Sequence, residues 1–205
     1  MGTYLSGVFN VGLKGERDRA VYNRWLEELN KIEIPRALAL NDKNEWVPDT
    51  GEWEFVISGF GGDDPSEALE EDMAYTVTFQ GPFMFYLELR DSVSSIETFF
   101  KLYVILEEND WFESYVKHIH DVIRVFHGTE IIWLSCDGPT QYASIFQSEV
   151  WSDTPYDQVK QLCIDRFGDF ITSYSEMTAH CLEHNTFYDD LDKVMLDVIP
   201  SSDAE

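Results

Sequence analysis

From Asn44 to Leu89 the chain carries eleven acidic side chains and no lysine or arginine. A segment without counter-charge cannot hold itself together by internal ion pairs. Any fold it adopts must rest on apolar burial and backbone hydrogen bonds, with the carboxylates turned to water. The apolar residues are present, and around Trp53 they alternate. Trp53, Phe55 and Ile57 set against Glu52, Glu54 and Val56 give the period of a strand with one buried face. An uncharged run of fifteen residues, Met73 to Leu87, follows. Gly81-Pro82 interrupts it and predicts a hairpin of Met73–Gln80 and Phe83–Arg90. Proline suits the loop because it has no N–H to give to a central ladder. Large apolar residues on both faces place this pair near the middle of a sheet.

The whole chain shares the imbalance. Its 205 residues hold 39 acids against 14 bases, a formal net charge of −25. Residues 1–43 are close to neutral, with seven bases and six acids, so residues 44–205 carry −26. Such a charge strains a compact state by self-repulsion and surrounds it with negative potential. It argues against nucleic acid as a ligand and for a basic protein as partner. Disorder is not expected, because 44% of residues are hydrophobic and 15% aromatic, enough for a core under the acidic surface.

The N-terminus shows no basic segment followed by an apolar one, so no secretory signal is expected. Met73 to Leu87 is too short and too broken to span a bilayer. Three cysteines (Cys136, Cys163, Cys181) cannot close a disulfide set, and reduced thiols in a cytoplasmic protein are the simpler expectation.

Along the chain, Tyr4–Val11 reads as a first strand. Residues 16–31 read as a helix, with Val21, Trp25, Leu29 and Ile32 at helical spacing and Pro35 beyond its end. A short strand is expected at 36–40. Ile96, Phe99, Phe100, Tyr103 and Val104 predict a helix over 94–108. Phe112, Tyr115, Val116, Ile119, Val122, Ile123 and Phe126 predict a second, with Gly128 as its C-terminal glycine. Glu130–Ser135 reads as a strand. Thr154-Pro155 predicts a helix start, threonine as N-cap and proline at the first helical position, running to Phe167 and stopped by Gly168. Residues 183–205 carry seven acids and one base. They read as a frayed tail, with the domain closing at 199 and residues 200–205 left as an acidic end. The expected fold is a single α+β domain over 1–199. Its sheet is mostly antiparallel and built from the first half, helices pack on one face, and a β–loop–α unit lies near the C-terminus.

Four groups could carry chemistry. Cys136-Asp137-Gly138-Pro139 leaves the end of an apolar strand, a common place for a nucleophile. A reactive thiolate needs positive surroundings; Asp137 and Glu130 act the other way, and no lysine or arginine lies between Phe126 and Val159. An ordinary strand-end cysteine is expected. His118 and His120 would lie about 200° apart on a helix, so they cannot share a metal there. His118 is expected to flank the apolar stripe and His120 to be exposed. His180 and His184 have the i, i+4 spacing of a helical metal pair. No third ligand is signalled, and Cys181 replaces the glutamate of the H-E-x-x-H motif. Neither a catalytic centre nor a metal or other cofactor is therefore expected.

The fourth group is the acidic block Asp63, Asp64, Glu67, Glu70, Glu71 and Asp72. It lacks the ligand order of a calcium loop, as does Asp189-Asp190-Leu191-Asp192. Gly59-Phe60-Gly61-Gly62 lacks the Gly-Lys-Ser/Thr of a phosphate loop and runs into Asp63-Asp64, which repel phosphate. A serine nucleophile elbow is also missing.

The expectation is an acidic interaction protein that binds and inhibits a basic partner, such as a toxin or nucleic-acid-binding enzyme. The acidic block would provide charge, with Trp46 and Trp53 as anchors. In general character the chain resembles immunity proteins and phage inhibitors of host defence, a likeness of type and not of motif. Two alternatives stand beside it. One is an enzyme assembled around Cys136/Asp137 or a metal at His180/His184. The other is a subunit that self-associates through helices at 94–127.

Overall fold

The structure is a computed structural model. It describes residues 4–10, 19–32, 38–40, 42–43, 46–48, 54–59, 75–80, 85–89, 93–99, 112–134, 154–176 and 194–201. In chain order the elements are β1 (Tyr4–Phe9), α1 (Arg19–Leu29), β2 (Leu38–Leu40), β3 (Trp46–Pro48), β4 (Glu54–Gly59), β5 (Tyr75–Gln80), β6 (Phe85–Leu89), β7 (Ser94–Phe99), α2 (Phe112–Val125), β8 (Glu130–Trp133), α3 (Tyr156–Phe167) and β9 (Met195–Val198).

The class is α+β. Seven strands form one sheet in the order β4-β5-β6-β7-β1-β8-β9, and β2 pairs with β3 separately. Every neighbouring pair in the seven-stranded sheet is antiparallel. Strands β4 to β7 follow one another as a meander, and the base-free stretch supplies β4, β5 and β6 at its far end. The first strand of the chain then lies between β7 and β8. Val8 is the register partner of Ser95 on one side and of Ile132 on the other. The hairpin β5-β6 is interior to the sheet, as the sequence predicts.

Residues 94–99 depart from expectation: they form a strand, not the start of a helix. Val93, Ser94, Ser95 and Ile96 are all buried, and β7 is paired on both edges, by β6 and by β1. A strand covered on both faces loses its alternation, so spacing alone mistakes it for a helix.

The acidic C-terminal segment is also not simply frayed. Val194-Met195-Leu196-Asp197-Val198 lies in the sheet beside β8, with Val194 and Met195 fully buried. Arg124 donates from Nε (3.1 Å) and Nη2 (2.8 Å) to the Pro200 carbonyl, holding the chain beyond residue 199 as well. The seven acids drew attention away from a short apolar run that the sheet pairs and buries.

Nor do the helices gather on one face. On one side of β1-β8-β9, Val8, Ile132, Leu134 and Val194 pack with Tyr156, Val159 and Cys163 of α3. Phe9, Ile131, Trp133, Met195 and Asp197 alternate with these along their strands and so face the other way. There α2 meets the sheet through His120 and Asp197. Fully burying a large apolar side chain contributes roughly 1.5–3 kcal/mol, so two faces let these short strands bury Phe9, Ile131, Ile132 and Trp133 completely.

Gly7 permits this crowding. A Cβ there would lie 3.0 Å from Ile131 Cγ2, from the Ile132 carbonyl oxygen and from Trp133 Cε3. Just beyond β1, Asn10 ties the strand to the start of β8. Its Oδ1 accepts from the backbone N–H of Thr129 (2.8 Å) and Glu130 (3.2 Å), and its Nδ2 donates to Thr129 Oγ1 (2.6 Å).

Helix α1 buries Trp25 and Leu29, and the Trp25 ring meets Phe126 of α2 edge-on, with centroids 5.3 Å apart. Helix α2 ends in a Schellman turn, but the left-handed residue is His127 (φ 64°) and not Gly128. Gly128 N–H donates to the Ile123 carbonyl and His127 N–H to that of Arg124, the paired bonds of this cap. Helix α3 starts one residue later than expected. Pro155 is the N-cap in extended conformation (ψ 143°), and its carbonyl accepts from the N–H of Gln158 and Val159. Gly168 (φ 80°) ends the helix as anticipated, its N–H donating to the Ile164 carbonyl. No helix among the described residues is long and apolar enough to cross a membrane.

Candidate functional site

The described residues converge on one buried polar cluster. Asp197 stands alone among apolar neighbours on β9, and its side chain is only 8% exposed. Its Oδ2 accepts three hydrogen bonds. His120 Nε2–H of α2 donates at 2.8 Å, Trp133 Nε1–H of β8 at 3.3 Å, and the Tyr174 hydroxyl also donates. Trp133 Nε1–H is shared, reaching Tyr174 Oη at 2.9 Å as well, and the two rings meet edge-on. The segment bearing Tyr174 is itself pinned to β9. Ile171 N–H donates to the Val194 carbonyl, and Leu196 N–H donates to that of Ile171. One carboxylate oxygen thus joins a helix, two strands and a connecting segment.

An Asp–His pair can orient an imidazole for general-base work, since the carboxylate fixes which nitrogen carries the proton. Here both partners are over nine-tenths buried, and the donors around Oδ2 come from the fold itself. Among the described residues no group of three or more His, Cys, Asp and Glu could hold a metal. The arrangement acts as a lock between α2 and the sheet: buried charge is tolerated where donors surround it.

His120 is therefore not the exposed histidine that the sequence suggests. At about 100° per residue, His118 and His120 bracket an arc holding Ile119, Val122, Ile123 and Phe126, and every one of these six is buried. The angular separation of the histidines is as expected. What differs is the width of the covered arc, because α1 lies on one side of α2 and the sheet on the other.

On the opposite sheet face, Lys160 of α3 donates to both oxygens of Glu130 (2.7 and 2.9 Å). Beside them burial, reinforced by the negative charge of Glu130, pushes the phenol of Tyr156 upward. Burial likewise pushes the Cys163 thiol up to about 12, with Arg166 pulling weakly the other way. Cys163 is thus an inert core thiol.

Other residues singled out in the sequence fall outside the described ones: Trp53, Asp63, Asp64, Glu67, Glu70, Glu71, Asp72, Cys136, Asp137, His180, Cys181 and His184. The backbone of Trp46 lies in β3, opposite Leu40. In sequence the acidic block lies between β4 and β5. The residues flanking that stretch, Gly59 and Tyr75, are register partners. Both ends of that stretch are therefore held one strand spacing apart, at one end of the β4-β5 pair.

The Asp197 cluster is a site that sequence reasoning missed. Its signal was present: a single acid inside Val194-Met195-Leu196-Asp197-Val198-Ile199 is either solvent-facing or paired. Its partner lay 77 residues away, beyond any local pattern. Comparison of the chain with protein-family models, curated proteins and solved structures finds no match.

Proposed function

We propose that this protein is an acidic interaction protein that binds and inhibits a basic protein partner, of the kind presented by a toxin nuclease or another nucleic-acid-binding enzyme. The observation that carries the reading is the charge distribution: eleven acids and no lysine or arginine over residues 44–89, within a chain of net charge −25.

In this reading the field of the protein draws in a basic partner, raising association rates by about 10- to 1,000-fold and making them salt-sensitive. Asp63, Asp64, Glu67, Glu70, Glu71 and Asp72 meet lysines and arginines, and Trp46 and Trp53 anchor the contact once water is displaced. The self-association alternative invoked helices at 94–127. Residues 94–99 lie inside the sheet, and the apolar arc of α2 is covered by its own chain.

The test is affinity capture of the full chain from its native cell, washed at low and then high salt, followed by kinetics on any partner retained. A basic protein held at low salt and released at high salt is expected. Changing the six acids of the block to Asn or Gln should slow association at least about 10-fold and flatten its salt dependence. Unchanged kinetics in that variant would remove the block from the interface. An empty capture by folded protein would withdraw the inhibitor reading itself.

A further inference from the structure

We draw no further inference here: the strongest candidate, the buried cluster of His120, Trp133, Tyr174 and Asp197 where α2 meets β9, belongs to the site already described.

Discussion

Asp197 gathers distant parts of the fold, because three donors from separate parts of the chain end on one of its oxygens. Replacing it by alanine leaves the buried His120 Nε2–H without this acceptor, while Trp133 Nε1–H keeps Tyr174 Oη. A buried donor left unsatisfied costs about 1–3 kcal/mol, so Asp197→Ala should lose about that much. Asp197→Asn keeps a carbonyl oxygen for some of the donors and should lose less. Denaturant unfolding at constant m would read both changes, and an alanine variant within about 0.5 kcal/mol of the parent would show that the cluster supports nothing. Cys163 offers an independent probe of the other sheet face. With the thiol pushed up to about 12 by burial and the side chain fully buried, Cys163 stays a protonated, inaccessible thiol in the native protein. In a protein with Cys136 and Cys181 changed to serine, a thiol reagent should leave Cys163 unmodified until denaturant unfolds the chain. Rapid labelling of the native protein would contradict the packing of α3 on the sheet. Such environments were half legible beforehand. Cys163 falls within the helix that the sequence predicts from Thr154-Pro155 to Phe167, whereas nothing near Asp197 in sequence names His120.

Among the elements, most strands and helices are legible from local pattern, whereas β7 and β9 are not. The helical period of α1 and α2 survives because each keeps an exposed side, marked by Glu27 and Glu28 on α1 and Lys117 on α2. Strand β7 has no such contrast, and its Val93-Ser94-Ser95-Ile96 run is buried residue after residue. Strand β9 was hidden by its acidic surroundings, although Val194 and Met195 are among the best-buried residues of the molecule. The caps were found to within one residue. At the end of α2 the left-handed position fell on His127 rather than the neighbouring glycine. A left-handed conformation costs a non-glycine residue about 1–2 kcal/mol, part of which glycine returns through its greater freedom in the unfolded chain. His127→Gly should therefore stabilise the protein by about 0.5–1 kcal/mol, seen as a higher melting temperature. A lower melting temperature would mean that the exposed imidazole makes a contact worth more than the strain.

For the molecule as a whole, a net charge of −25 acts against compactness at neutral pH. Raising ionic strength from about 0.01 to about 0.15 M shortens the screening length from about 30 to about 8 Å. The melting temperature should rise across that range, as measured by calorimetry or circular dichroism in a non-binding salt. A flat or falling curve would mean that the acids are offset within the native structure. The charge was visible in the residues themselves, and so were the α+β class, the hairpin β5-β6 and the extents of α1, α2 and α3 to within a few residues. These properties depend on composition and on contrasts between near neighbours, which a linear pattern records. Other features were settled only when distant segments met. The first strand takes its place between β7 and β8, α2 and α3 approach the sheet from opposite faces, and β9 closes the sheet under His120. These contacts join distant segments: β1 pairs with residues 94–99 and 131–133, Lys160 reaches Glu130 across 30 positions, and His120 meets Asp197 across 77. Their stability comes from excluding water on both sides of the strands at once, a property of the assembled layers that no single segment carries.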